Sequence, residues 1–459
     1  MTRNTYPLIR GKPMIDLSPE MVTAIMMGGV FIGVLTGFPL GFIVGALALF
    51  VGVFVFGGFA QAANIIYTNI YGIITNYVII AVPLFVFMGV MLERSGIAER
   101  LYDALYLWLG GLRGGLAIVT VLMGTILAAT VGIIAASITM LALAVLPSML
   151  RRGYSKPLAT GAVTAGGCLG ILIPPSIMLV LYGPMAGISV GQLFFGAFLP
   201  GFTLSALYIT YIAIRSYLQP QIAPAVPVED RKVPFMKKTT MLITSTVPVA
   251  ILIFSVLGVI FFGIAPPTEA AGVGAFIATL LTIAYRRFSL TTLKEASLIT
   301  LKSCGFIFVI VTMATAFSAV FLGGGGRDVM ADIILSAPGG RWGVFAVIML
   351  IIFIMGMFIE WIAIVYIMVP IITPIAQAAG FSILWFSIMV CVNLQMAFMT
   401  PPFASGIFIC RGAADPKLGI TMGDIIRGVL PHVALVIVGL AIFTFVPEII
   451  TWLPGQMIR

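Results

Sequence analysis

The chain has 459 residues, of which 61% are hydrophobic and 8% are charged, and its mean hydropathy is +1.20. Soluble domains carry about 25% charged residues, so this composition excludes an ordinary soluble protein and predicts one that spans a bilayer. The chain is also too apolar for an outer-membrane barrel, whose strands alternate in short segments. The net charge of +9 comes from basic residues in short loops beside apolar segments, which indicates positive-inside topology rather than nucleic-acid binding.

The apolar segments, in chain order, lie at 21–36, 39–59, 77–93, 115–150, 157–183, 192–217, 239–263, 268–285, 303–323, 343–375, 381–410 and 430–453. Two of them, 115–150 and 343–375, would form helices of about 50 Å, against a hydrocarbon core of ~30 Å. Each has a break near its centre, at Gly132 and over 356–361. The pattern predicts two re-entrant helical hairpins; long tilted helices are the alternative.

The same prolines and glycines occur twice at an offset of 227 positions: Pro147, Gly153, Pro174 and Pro175 match Pro374, Gly380, Pro401 and Pro402. A double proline removes two backbone donors and stops a helix, so 157–183 and 381–410 are predicted to be discontinuous transmembrane helices. Five full crossings separate the start of the first copy at 77 from its counterpart at 303. Because five is odd, the repeats are predicted to be inverted. The fold class is therefore an all-α polytopic membrane protein of the transporter type.

This pattern divides the chain into five predicted parts: an N-terminal tail and scaffold helices (1–76), a first repeat (77–218), a linker (219–238), further scaffold helices (239–302), and a second repeat with a C-terminal scaffold helix (303–459). Residues 1–20 are interpreted as a retained tail rather than a signal peptide.

The linker is the longest polar interruption and carries Arg231, Lys232, Lys237 and Lys238. Two crossings later the chain reaches another basic pair, Arg286 and Arg287, so both clusters are assigned to the cytoplasm. Amphipathic stretches at 98–109 and 289–302 are predicted to be interfacial helices; the first places Leu101, Leu105 and Trp108 on one face.

Helix breaks release carbonyl oxygens that bind a hard monovalent cation together with hydroxyl and amide oxygens. The candidate cation ligands are Gly132, Ser137, Pro174, Ser176, Glu360, Asn393, Thr400 and Pro401. The candidate substrate contacts are Thr164, Gly166, Pro175, Pro402 and Arg411. Glu360 would bind a cation, carry a proton or cap the second arm of its hairpin. Arg411 would attract an anion or simply extend its charge to the membrane surface. Close helix packing also favours the small residues.

Three segments carry a family resemblance: RRGYSKPLATGAVTAGGCLGILIPPSIMLVLYG at 151–183, GIAPPTEAAGVGA at 263–275, and NLQMAFMTPPF at 393–403. In their order and spacing the chain resembles the large membrane subunit of tripartite ATP-independent periplasmic (TRAP) transporters. These three segments are most similar to those of the subgroup labelled mannitol/chloroaromatic or 2-oxo-acid type.

The resemblance implies sodium-coupled import of a carboxylate across the bacterial inner membrane by an elevator mechanism. It also implies two partners, a small four-helix membrane subunit and a periplasmic substrate-binding protein. Family cation sites surround the hairpin tips and broken helices, and Ala404 departs from the glycine that usually follows the second break.

Other classes of function stay open at this point. A stand-alone anion carrier of related hairpin architecture is the first alternative, and a channel is the second, since broken helices also build pores. An enzyme is disfavoured, because a single histidine leaves no Ser–His pair or His/Cys/Asp cluster. No GxxxxGK[ST] loop is present, so an ion gradient or a partner must supply the energy.

Overall fold

A computed structural model describes residues 17–132, 134–227, 229 and 232–457. Arg231 of the predicted linker and residues 1–16 of the predicted tail lie outside the described residues. Within the described part, nine helices are long and apolar enough to cross a membrane, by length and composition. This confirms the prediction of a helical, polytopic membrane protein.

The α-helices, in chain order, are α1 (Pro19–Leu35), α2 (Leu40–Val55), α3 (Phe59–Ile74), α4 (Ala81–Arg94), α5 (Ile97–Leu109), α6 (Gly115–Val131), α7 (Ile134–Arg151), α8 (Lys156–Cys168), α9 (Ile177–Ala186), α10 (Val190–Leu218), α11 (Phe235–Ile253), α12 (Val259–Phe261), α13 (Pro267–Ala284), α14 (Leu290–Gly323), α15 (Gly326–Leu335), α16 (Gly340–Phe358), α17 (Trp361–Ala378), α18 (Ile383–Ala397), α19 (Ser405–Ala413), α20 (Met422–Phe445) and α21 (Glu448–Gly455). A π-helical turn at Phe254–Gly258 joins α11 to α12.

The offset of 227 positions relates whole helices as well as prolines. Adding 227 to the bounds of α7 gives 361 and 378, which are the bounds of α17. Adding it to the start of α2 gives 267, the first residue of α13. The offset of 227 positions therefore also holds at α2, which lies N-terminal of residue 77, where the first repeat is predicted to begin.

The structure differs from the sequence interpretation at α14, which is one uninterrupted helix of 34 residues. The segment 289–302, predicted to be a separate interfacial helix, forms its first part, because no proline interrupts the chain before Gly323. The other predicted interfacial helix is α5. Its Leu101 and Leu105 are buried, whereas Trp108 is exposed and its ring lies edge-on to Phe235, with centroids 5.6 Å apart.

The described residues form two compact units. Unit 1 comprises 17–76, 306–348 and 358–380, and unit 2 comprises the remainder. In unit 1, α1 contacts α2 and α15, and α15 also contacts α17. The glycine run at 323–326 forms the turn between α14 and α15 in this unit.

Helix α8 lies at the centre of unit 2. It contacts α6, α7, α19 and α20, and every residue from Leu158 to Cys168 is buried. Burial raises the pKa of Tyr154, just before α8, to about 12, so its hydroxyl stays protonated at neutral pH. That hydroxyl accepts a hydrogen bond of 3.2 Å from the Leu116 N–H, which ties the start of α6 to the turn between α7 and α8.

Two glycines set the contact between α8 and α20. A methyl group added at Gly161 would lie 2.2 Å from the Gly428 carbonyl oxygen, well inside van der Waals contact. We expect Gly161→Ala to destabilise the protein by about 1–3 kcal/mol, the usual cost of overpacking. Gly272→Ala is the matched control, because nothing lies within 4 Å of the added methyl there. Melting temperatures in detergent should fall for Gly161→Ala alone; equal melting of both variants would contradict the contact.

Candidate functional site

The first predicted hairpin turns at Gly132, between α6 and α7. Its φ of +63° places it in the left-handed region, where glycine ends a helix without steric cost. A methyl group added at Gly132 would lie 3.4 Å from the Pro175 carbonyl oxygen and 3.7 Å from the Ile177 nitrogen. The turn of the hairpin therefore lies directly against the first proline break.

The first break separates α8 from α9. The chain leaves α8 through a 3-10 turn at Leu169–Ile171 and resumes helix at Ile177. Pro174 and Pro175 are joined by a cis peptide bond and are both buried. Ser176 occupies the N-cap position of α9, and its hydroxyl donates to the Ile171 carbonyl oxygen. The predicted interruption of this helix is confirmed.

Ser137 joins the hairpin to this break from a second direction. A methyl group added at Gly170 would lie 3.0 Å from the Ser137 hydroxyl oxygen. That hydroxyl is fully buried and has no hydrogen-bond partner among the described residues. A buried hydroxyl without a partner costs about 1–3 kcal/mol, so this oxygen is available to a ligand.

The second break separates α18 from α19. It contains a second cis peptide bond, Pro401–Pro402, and Pro402 is exposed where Pro175 is buried. The Thr400 hydroxyl donates to the Met396 carbonyl oxygen at 2.8 Å. The Phe403 N–H donates to the Met357 carbonyl oxygen at 3.1 Å, which links the break to the end of α16. This predicted interruption is also confirmed.

Asn393 lies one turn and a half before the second break. Its side-chain amide nitrogen donates to the Met349 carbonyl oxygen of α16 at 2.7 Å. Its Oδ1 atom is buried and has no hydrogen-bond partner in the described part of the chain. The amide nitrogen of Asn393 is thus used in a hydrogen bond between helices, whereas its oxygen can accept a hydrogen bond or bind a cation.

The two breaks are brought together through α8 and α19. A methyl group added at Gly406 in α19 would lie 3.1 Å from the Thr164 Cγ2 atom and 3.2 Å from the Cys168 Sγ atom. The Thr164 hydroxyl also lies beside the Cys410 thiol. Residues that follow the second break therefore pack on the helix that precedes the first.

Gly166 has a packing role in the structure. A methyl group there would lie 3.3 Å from the Val121 Cα atom, and one at Gly124 would lie 2.5 Å from the Gly166 carbonyl oxygen. This is the close helix packing that small residues permit. The assignment of Gly166 as a substrate contact stays a prediction.

Glu360 and Arg411 have surroundings of their own. Glu360 belongs to unit 1, at the N-cap position of α17, and its carboxylate makes no capping hydrogen bond. Arg411 is exposed in the last turn of α19, where the helix dipole favours a cation. Their predicted roles as a cation ligand and an anion contact stay predictions.

Sequence reasoning missed Gln395. It lies on α18 between Asn393 and the second break, is fully buried, and neither its Nε2 nor its Oε1 atom has a hydrogen-bond partner among the described residues. A single glutamine in a mostly apolar helix belongs to no recognisable sequence motif. Only its burial marks it, because a buried amide that satisfies neither group is costly unless a ligand or water completes it.

The chain is similar to proteins of one transporter family. The profile of the family described as "Tripartite ATP-independent periplasmic transporter, DctM component" matches residues 27–449. The C4-dicarboxylate TRAP transporter large permease of Rhodobacter capsulatus is 27% identical, over 95% of this chain and 100% of its own length. The corresponding protein of Pseudomonas aeruginosa is 30% identical, over 83% of this chain and 87% of its own length.

The fold itself is shared with solved transporters of low sequence similarity. The structure of Neisseria gonorrhoeae MtrF aligns with a TM-score of 0.56 at 15% identity, over 97% of this chain and 96% of MtrF. Alcanivorax borkumensis YdaH aligns with a TM-score of 0.57 at 16% identity, over 85% of this chain and 88% of YdaH. Because the family profile matches residues 27–449, the chain belongs to the DctM family, the large membrane components of tripartite ATP-independent periplasmic transporters.

Proposed function

We propose that this chain carries an organic carboxylate across the bacterial inner membrane, driven by a sodium gradient. The names of its relatives support the substrate class: they include transporters of C4-dicarboxylates, sialic acid and 2,3-diketo-L-gulonate. All three are carboxylates at neutral pH. The linker at 219–238 faces the cytoplasm in this proposal.

The contact between the Gly132 turn and the first proline break is the observation that carries the proposal. It brings the glycine that ends α6 close to the Pro175 carbonyl oxygen, and the buried, unpartnered Ser137 hydroxyl lies near Gly170 of the same broken segment. These ligands are neutral, so a monovalent cation would bring the net positive charge that an incoming carboxylate needs. Cation and anion would then bind cooperatively, which couples substrate movement to the sodium gradient.

The hairpins and broken helices would move as one body against the remaining helices, in an elevator motion. Packing of Gly406 against Thr164 supports this, because α19 and α8 then shift together. Arg411, exposed beyond the second break, would attract the anion before it binds.

Two partners belong to the proposal. One is a small four-helix membrane subunit, and the other is a periplasmic protein that binds the substrate and delivers it. The isethionate permease protein of Oleidesulfovibrio alaskensis is named DctMQ, and this chain covers 60% of it, which leaves room for a second component in that protein. A stand-alone carrier would need neither partner. A channel would not accumulate its substrate at the expense of a sodium gradient.

The test is uptake into proteoliposomes that contain all three components, with sodium and pH varied independently across a panel of carboxylates. Uptake should saturate, require an inward sodium gradient and stop when the binding protein is omitted. Equal uptake with this chain alone would favour a stand-alone carrier. Single-channel currents without gradient-driven accumulation would favour a pore, and a dependence on pH alone would replace sodium by protons.

Ser137→Ala should raise the sodium concentration for half-maximal uptake by about tenfold, since one oxygen ligand to a charged group is lost. The maximal rate at saturating sodium should change little. Ser245→Ala in α11 is the control, because that buried hydroxyl already donates to the Met241 carbonyl oxygen at 2.7 Å. The sodium dependence of initial uptake rates measures both. An unchanged half-maximal concentration in Ser137→Ala would remove this hydroxyl from the site.

A further inference from the structure

A groove of 510 Å³ runs along α10 and α20 in unit 2. Its walls include Leu207, Ile214 and Leu218 from α10 and Leu435 from α20. Arg215 also lines the groove, eight residues and about 12 Å of helix beyond Leu207. A mostly apolar groove of this kind, with a guanidinium group among its lining residues, suits an amphipathic ligand.

Arg215 is positioned by Tyr211, whose ring packs against a buried side chain of unit 2. Its guanidinium donates to the Tyr211 hydroxyl oxygen at 2.9 Å. The Tyr211 ring lies edge-on to the ring of His432, with centroids 5.4 Å apart, and His432 is fully buried with its Nδ1 atom 3.0 Å from the Gly428 carbonyl oxygen. The guanidinium is thus held by an aromatic chain that reaches the packed α8–α20 contact.

The remaining donors of Arg215 are free to bind an anion. The side chain is exposed, and a guanidinium has five N–H donors, of which the Tyr211 contact uses one. Among the described residues, the one ion pair joins Arg94 to Glu295, so Arg215 has no carboxylate partner in that part of the chain. A phosphate accepts two parallel hydrogen bonds from such a group.

An arginine in the last turn of a helix needs no ligand, because the helix dipole favours it and its stem can reach the membrane surface. That explanation leaves the apolar groove beside it unaccounted for. We propose that the groove binds an anionic phospholipid, with one acyl chain between α10 and α20 and the phosphate on Arg215. Basic pockets between transmembrane helices on the cytoplasmic side bind anionic headgroups in this way.

The position of Arg215 agrees with this occupant. It lies three residues before the end of α10, directly ahead of the basic segment 219–238. A lipid surrounds these helices at high local concentration, whereas a protein partner would need a broad complementary surface with aromatic anchors. The phospholipid would brace α10 against α20 by filling the groove.

The test is thermal melting of the full chain with its membrane partner in nanodiscs, made of phosphatidylcholine with increasing phosphatidylglycerol. Wild type should melt at higher temperature as phosphatidylglycerol increases. Arg215→Gln should need about tenfold more of it for the same shift. Leu435→Trp, which fills the groove but keeps Arg215, should lose the shift as well. Lys237→Gln, an exposed cation in the first turn of α11, is the control and should respond like wild type.

Three results would overturn the proposal. One is a wild-type phosphatidylglycerol response in Arg215→Gln or Leu435→Trp. Another is a shift of the same size when inorganic phosphate is added to phosphatidylcholine nanodiscs, since that would need no acyl chain. The last is failure of Leu435→Trp to copurify with the small membrane subunit, because the groove would then be a protein interface.

Discussion

Replacing Asn393 with alanine is expected to lower sodium-driven uptake per folded protein by about 10- to 100-fold. The change removes the 2.7 Å hydrogen bond to the Met349 carbonyl oxygen of α16 and the unpartnered Oδ1 atom before the second break. An oxygen contact to a charged group is worth about 1.5–3 kcal/mol, and the same range in a transition-state barrier gives about this loss of rate. Initial uptake rates, normalised to folded protein, provide the measurement.

Asn69→Ala is the matched control for this change. Its side-chain amide also donates to a carbonyl oxygen, that of Ile65 at 2.9 Å, but it lies on the exposed surface of α3. Uptake should stay at the wild-type level there, because water can replace the lost bond. Wild-type uptake in Asn393→Ala, at normal abundance, would exclude Asn393 from the transport site.

Replacing Gly132 with alanine is expected to abolish transport while the protein still folds. A side chain at φ +63° costs about 1–2 kcal/mol, and the added methyl would lie 3.4 Å from the Pro175 carbonyl oxygen. The added methyl group would occupy the space between the turn and the break, where the cation would bind. Uptake in proteoliposomes should fall to the background of empty vesicles.

Gly187→Ala separates the effect on transport from the effect on the backbone. Gly187 has a φ of +66°, so its substitution carries a similar conformational cost, but nothing lies within 4 Å of the added methyl. Both variants should melt at similar temperatures, and only Gly132→Ala should lose uptake. Loss of uptake in both, or in neither, would mean that the contact between turn and break is not what transport requires.

The helix interruptions could be predicted from sequence because they depend on local chemistry. A double proline cannot continue a helix in any packing, so both breaks lie where the repeat at offset 227 places them. The turn at Gly132 is indicated by length together with a central glycine; length alone does not decide it, because α14 continues through 34 residues without a break. These features need no knowledge of the neighbouring helices.

Other features depend on contacts that a single sequence does not display. Glu269, in the first turn of α13, accepts a hydrogen bond of 2.9 Å from the Tyr77 hydroxyl, 192 positions away. Gln395 stands out only through its burial. Helix α3 was missed because its amides at Gln61, Asn64 and Asn69 lower its hydropathy, although it forms a regular helix.

Binding of radioactive sodium to the purified membrane complex tests the central claim most directly. Wild type and Gly187→Ala should bind sodium saturably and with equal affinity, whereas Gly132→Ala and Asn393→Ala should each lose binding. Equal sodium binding by all four proteins would contradict a cation site built where the hairpin turn meets the broken helices.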